Sequence, residues 1–257
     1  MCNGDVNENK IEVGKMTPLE RVSWLAAKII TLIVTGARKA AEVADWLQVV
    51  ISNPQFFSLL SAPRGASMDT EEPREGWSKK WEQFYFEVFG RTVDLSAVPA
   101  SPYVPGFGWV VYVLKGLTHN QIYAKMRDRF PCSSDYGDDF DRVITHEDRD
   151  PEKLGTYARR FRNRIEADEE LKEKSANDLS EAHIEADTLR EAKLLELFYE
   201  WRTGGGHLNL RFWNLCAGSR NYDGNVPSVY WGDDGFRVYR YNPFRFSNAR
   251  LRARAAG

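Results

Sequence analysis

At Gly204-Gly205-Gly206 the spacing of apolar residues along the chain changes period. Upstream of the three glycines, Leu194, Leu195, Phe198 and Trp201 fall on one face of a helix predicted over residues 189–202. Downstream, apolar and polar residues alternate, as they do where one face of a strand is buried and the other is not. A chain with helices before this point and short antiparallel strands after it is predicted to be α+β. The glycines themselves read as a helix stop. They lack the Lys-Ser/Thr that follows in a phosphate-cradling loop, and they stand after a helix instead of before one.

The first 203 residues divide further. Residues 1–16 are polar and acidic, without the basic start and apolar centre of a secretory signal, and are predicted to be disordered. Thr17-Pro18-Leu19-Glu20 is a capping box with proline at the first helical position, so a helix is predicted over residues 17–36. A second is predicted over residues 38–51, with Val43, Trp46, Leu47 and Val50 on one face and Asn53-Pro54 stopping it. The apolar run from Trp24 to Val34 is interrupted by Lys28 and falls short of the ~20 residues that span a bilayer, so it reads as a buried helix. A loop over residues 61–76 leads to a helix over residues 77–89, whose Trp77, Trp81, Phe84 and Val88 form a core stripe. These elements make up a helical region, residues 17–90. Pro, Ser and Ala concentrate in residues 91–106, a predicted linker, and residues 107–257 form the second domain. That domain is expected to open with a strand over residues 107–114 and a short helix from Leu117-Thr118 to Arg129. A polar stretch, a charged helix over residues 152–174 and the helix at 189–202 come next. Strands are then predicted at 208–216, 226–231, 236–241 and 251–255, the middle two joined as a hairpin by Gly232-Asp233-Asp234-Gly235.

Charge and cysteine content narrow the function. Lys and Arg number 35 against 37 Asp and Glu, which excludes a globally basic nucleic-acid binder, and eight Trp residues exclude a disordered chain. Three widely spaced cysteines offer neither a disulfide framework nor a Cys-x-x-Cys zinc site, and a reducing, cytoplasmic setting is the simpler expectation. The histidines at 119, 146, 183 and 207 have no partner at ligand spacing, so neither a metal nor another cofactor is predicted. His146-Glu147-Asp148-Arg149-Asp150 has the residue types of a general acid/base cluster, but a solvated loop with Asp150-Pro151 capping the next helix is the preferred reading. Cys216, between Leu215 and Ala217, reads as a buried thiol.

The last forty residues hold the candidate site. Alternation in the hairpin places Val229, Trp231, Phe236 and Val238 on an apolar face and Ser228, Tyr230, Arg237, Tyr239 and Tyr241 on the other. Asn221, Tyr222, Asp223 and Asn225 precede it, Asp233 and Asp234 form its tip, and Asn242, Phe244, Arg245, Phe246, Ser247 and Asn248 come after it. Folding needs only the apolar face. Rigid Tyr with adaptable Ser, Asn and Asp is the composition of binding loops, so all seventeen polar or aromatic positions are candidates for a ligand surface.

Trp213-Asn214-Leu215-Cys216-Ala217-Gly218-Ser219-Arg220, Asp223-Gly224-Asn225-Val226-Pro227, Asn242-Pro243 and the closing Asn248, Leu251-Arg252 and Arg254 resemble the end of a C-type-lectin-like domain. The likeness is to the subtype shared by formylglycine-generating enzymes and the variable proteins of diversity-generating retroelements, and to a group of bacterial proteins. It implies a strand, two helices and several short strands, with a segment of about residues 220–250 diversified by mutation of template adenines and displayed as a hypervariable ligand-binding face. The paired catalytic cysteines of the enzymes have no counterpart here, so the resemblance implies recognition of a macromolecular ligand without catalysis. A second reading is single-stranded nucleic-acid binding. Residues 235–257 carry Arg237, Arg240, Arg245, Arg250, Arg252 and Arg254 and no acid, interleaved with aromatic residues able to stack on bases.

Overall fold

The computed structural model describes residues 74–99, 101–244 and 249–257. The N-terminal residues 1–16 expected to be disordered, the helices predicted at 17–36 and 38–51, and the candidate residues Arg245, Phe246, Ser247 and Asn248 lie outside them. The described residues belong to one compact unit, Ala62–Gly257, and are mixed α+β. Helix α1 (Arg74–Phe89) is followed by β1 (Trp109–Val113), α2 (His119–Arg127), β2 (Cys132–Ser134), the one-turn α3 (Phe140–Val143) and β3 (Ile144–Glu147). Then come α4 (Pro151–Leu154), β4 (Tyr157–Phe161), α5 (Ala176–Glu181) and α6 (Leu189–Thr203). Five strands complete the chain: β5 (Trp213–Leu215), β6 (Ser219–Asn221), β7 (Val226–Gly232), β8 (Gly235–Tyr241) and β9 (Leu251–Ala253).

Helix α6 is the axis of the main core. Thr188 caps it, its hydroxyl accepting from Glu191 N–H while the Glu191 carboxylate accepts from Thr188 N–H, and Gly204 closes it in the left-handed conformation at φ 70°. Leu189, Leu194, Leu197 and Phe198 are fully buried. Trp81 of α1 stacks on Phe198 with centroids 4.2 Å apart and donates from its indole to Val110 O at 2.7 Å. Helix α1 is therefore part of this core, and the stretch at 91–106 does not separate it from β1 and α6. Three charged residues of α6 are also buried. Glu191 takes a bidentate grip from Arg149 at 2.7 and 2.8 Å, Lys193 donates to His119 O at 3.1 Å, and Glu196 accepts from His207 at 2.8 Å.

The main sheet has the order β2-β8-β7-β5-β9, with antiparallel pairing inside and parallel pairing at both edges. Its centre is the predicted hairpin, with Gly232 opposite Gly235 across the two-residue turn Asp233-Asp234 and Val229 opposite Val238. Val229, Phe236 and Val238 face the main core. Val226, Leu215, Leu251 and Ala253 point the other way, into a second cluster with Ala176, Leu179 and Ala186.

The charged helix expected over residues 152–174 is not present. Pro151–Leu154 is a single α-helical turn ended by Gly155 at φ 81°, Tyr157–Phe161 then runs as β4, antiparallel to β1 with Val111 opposite Arg159, and Glu169–Leu171 is one turn of 3-10 helix. Ala158 and Phe161 are its buried residues, and three apart they imitate a helical stripe in a segment without β-branched residues. The long-range partner β1 decides the conformation. Strand 208–216 shrinks to Trp213–Leu215, because Leu208 N–H is taken by the Glu196 carboxylate and Asn209 N–H by Ile165 O, off any ladder. Strands β2, β3 and β6 also lie outside the expected order of strand, helices and four strands. Each is three or four residues long and defined by its partner.

Candidate functional site

The hairpin's second face divides along its length. Val226 pairs with Tyr241, Ser228 with Tyr239 and Tyr230 with Arg237, so all six share it. Near Val226 the second apolar cluster covers it. Towards the tip the cover ends, and Tyr230, Arg237 and Tyr239 are half-buried.

Trp213 completes the open part. In β5, Asn214 lies opposite Val229, which puts Trp213 beside Tyr230 on the same face. The rings of Trp213, Tyr230 and Tyr239 are close to parallel: 5.2 Å and 19° for Trp213 with Tyr230, 5.6 Å and 5° for Trp213 with Tyr239, and 5.4 Å and 14° between the tyrosines. The tyrosine hydroxyls stand 3.3 Å apart, and Arg237 Nη1 donates to the Tyr239 hydroxyl oxygen at 2.7 Å. Arg237 is held in turn by Asp234 at the tip, Nε to Oδ1 at 2.6 Å with a second, shorter Nη2 contact. The result is an aromatic platform bordered by a polar arm. Packing of each ring on its neighbour contributes about 0.5–1.5 kcal/mol and fixes the rotamers, so a flat partner meets a surface that loses little entropy on contact.

The electrostatics of the arm arise from the Arg237–Asp234 pair. Hydrogen bonding from Arg237 lowers the Asp234 carboxyl below its usual range, and Asp234 raises the guanidinium. Partial burial, and then the hydrogen bond with Tyr239, raise the Tyr230 phenol. Across neutral pH the platform therefore carries neutral Tyr230 and an Arg–Asp pair of no net charge.

The other candidate residues are dispersed. Ser228 is fully buried under the second cluster with its hydroxyl unpartnered, and Asn221 is 2% exposed. Asn221 Oδ1 accepts from the backbone N–H groups of Asp223 and Asn225 at 3.1 and 2.7 Å, so it builds the β6–β7 turn. Both were expected on the surface. Tyr241 is half-buried against the second cluster. Asp223 pairs with Arg240 at 3.6 Å, and Arg240 alternates with Tyr239 and Tyr241, so Asp223 reaches the opposite side of the sheet from the platform, and Tyr222 is 60% exposed in the β6–β7 turn. Asn225 is half-buried in the same turn, and Asp233 is exposed at the tip. Asn242 Oδ1 accepts from Phe244 N–H at 2.9 Å, leaving Phe244 71% exposed beyond β8.

Trp213 was absent from the candidate residues. Its signal was the alternation of Trp213 and Leu215 with Asn214, legible only once β5 is placed beside β7. Of the arginines in the basic ending, Arg252 lies over Phe212 with its guanidinium carbon 3.4 Å from the ring centroid and pairs with Glu169. Arg254, 1% exposed, donates to Arg164 O at 2.9 Å and Ile165 O at 3.2 Å. Both organise the 162–169 loop. The cluster at 146–150 also separates. Asp150 caps α4 as expected, Glu147 is buried against His119 and Arg190, and His146 pairs with Asp148 at the surface at 3.0 Å. Burial pushes the Cys132 thiol up to about 12 and raises Cys216 well above its ordinary value, so neither is an activated nucleophile. Among the described residues no group of three His, Cys, Asp or Glu could hold a metal ion, and no helix is long and apolar enough to cross a membrane.

No protein-family model, curated protein or solved structure matches the chain.

Proposed function

We propose that this chain is a non-enzymatic recognition protein whose contact surface for a macromolecular ligand is the platform of Trp213, Tyr230 and Tyr239 with Arg237 and Asp234. One observation carries the reading. Three near-parallel rings are left half-exposed beyond the second cluster, and of the three only Trp213 packs against that cluster, so burial does not account for the two tyrosines there. Rigid Trp and Tyr with one arginine are the residue types that dominate binding hot spots. The finer expectation, a C-type-lectin-like scaffold diversified by a retroelement, rests on the sequence resemblance and on Tyr230, Asp234, Arg237 and Tyr239 falling within residues 220–250.

The nucleic-acid alternative is the weaker one. Two of its six arginines are spent inside the protein and Arg237 is neutralised by Asp234. A peptide library displayed on phage, selected on the protein and then measured against a Tyr230→Ser/Tyr239→Ser variant, tests the proposal. Selected ligands should bind the variant at least tenfold more weakly, and equal binding to both would refute it. Tight binding of oligothymidylate that collapses between 50 and 200 mM salt would replace it with the nucleic-acid reading. A reverse transcriptase gene beside this one, with a near-copy of the segment encoding residues 220–250 that differs only at adenines, is the expected genomic setting of the finer version.

A further inference from the structure

A cleft of about 300 Å³ lies on other elements than the platform, between α5, the segment leading to Ala186 and the β5–β6 turn. Its wall is held by backbone hydrogen bonds, Asp148 N–H to Gly218 O at 2.8 Å and Gly218 N–H to Asp187 O at 3.0 Å. Gly218 fits so closely that a Cβ there would stand 3.0 and 3.1 Å from the Ala186 and Asp187 carbonyl oxygens. The cleft is thus preformed.

Arg220 of β6 lines it, with Ser180, His183, Asp148 and Glu185. One nitrogen of the guanidinium, Nη1, donates to Ala217 O at 2.6 Å and Ser219 O at 2.9 Å. The other edge, Nε and Nη2, has no acceptor among the described residues, and no carboxylate reaches ion-pair distance. Burial lowers the Arg220 pKa, and the charge of Asp148 opposes that only in part. The acids of the lining are engaged elsewhere. Glu185 is paired by Arg149 at 3.5 Å and by Arg159, and Asp148 by His146.

We propose that the free edge of Arg220 receives the carboxylate of a small organic acid or of a peptide C-terminus, with Ser180 at the mouth of the cleft as a further donor. A guanidinium edge matches a carboxylate in two parallel hydrogen bonds. The nearby Asp148 selects against a dianion, so a monoanionic carboxylate is favoured over a phosphate monoester.

The test tracks the Arg220 Nε–Hε resonance of the full chain by NMR during titration with propionate, with Ala-Ala-Ala as the free acid or the C-terminal amide, and with inorganic phosphate. A saturable shift with propionate or the free-acid peptide, and none with the amide, is expected. Equal affinity for the two acids identifies a free acid as occupant, and a peptide at least tenfold tighter identifies a chain terminus. Arg220→Gln should weaken peptide or propionate binding, read by calorimetry, at least tenfold. Because Arg220 also braces its turn, Ser180→Trp provides a second variant, which should block the cleft while melting as the parent protein does. No saturable shift with either acid, phosphate binding tighter than both, or unchanged binding in Ser180→Trp would overturn the proposal.

Discussion

The two ends of the hairpin's second face obey one alternation and meet opposite fates. At one end Val226 and Ser228 are buried beneath the cluster around Leu251 and Ala253, while at the other Tyr230, Arg237 and Tyr239 stay half-exposed with Trp213. The difference is made by a neighbour. Helix α5 and Ala253 of β9 lie at the first end of the face, whereas at the second β9 stands beside Trp213 alone, through Leu251. Alternation assigns a side chain to a face, and only packing decides whether that face meets water or protein.

The comparison can be broken by substitution. The largest effect belongs to the covered end. Leu251→Ala, at a fully buried position, should cost about 2–5 kcal/mol by chemical denaturation, through lost burial and the cavity left behind. On the core side of β5, Asn214 donates to Asp187 Oδ2 at 2.6 Å, and burial pushes the Asp187 carboxyl up to about 8. A carboxyl whose folded pKa is raised lends full stability below its unfolded value near 3.8 and loses it as pH rises through 8. Asp187→Asn should remove that fall, so that the variant gains on the parent by roughly 3–4 kcal/mol between pH 5 and pH 8. Lys193, lowered by burial to about 7, pulls the other way above that pH in both proteins and cancels from the difference.

Ser228→Tyr, which makes the covered end resemble the open one in sequence, should cost about 1–2 kcal/mol by overpacking. Equal stability would mean that the cover is loose. Trp213→Ala removes two ring contacts and some packing against the second cluster and should cost about 1–2 kcal/mol, read as a shift in the denaturation midpoint, while abolishing binding of ligands selected on the platform. Tyr230→Ser is the smallest, about 0.5 kcal/mol in stability, because its ring is half in water already. A loss above 2 kcal/mol there would make the platform structural and remove the reason to regard it as a contact surface.

Much of the fold was readable residue by residue where the signal is local. Thr118 forms a capping box with Gln121 and starts α2, Gly204 in the left-handed region ends α6, and Asp233-Asp234 between two glycines sets the hairpin register. The shared, partly exposed face of Tyr230, Arg237 and Tyr239 was readable, because the hairpin register fixes it. It was misread at Ser228 and Asn221, because burial of one and turn formation by the other depend on β9, α5 and the β6–β7 turn. Trp213 escaped notice for the same reason. Its neighbours across the sheet, Tyr230 and Leu251, are 17 and 38 residues on, and nothing local announces them. Arg254 shows the converse error, since a basic, aromatic ending suggests an exposed surface, yet its guanidinium is consumed by loop carbonyls of residues 164 and 165.

By itself, the sequence determined the places where period, caps and turns act over a few residues: the helix stop at the three glycines, the cap of α2, the hairpin and its apolar face. The tertiary structure alone decided that residues 157–161 are a strand, that half of the hairpin's second face is covered, and that Trp213 joins two tyrosines to make the platform. The physical reason is range. Helix caps and two-residue turns are satisfied by neighbours in the chain, whereas strand pairing and solvent exposure depend on what other segments bring alongside.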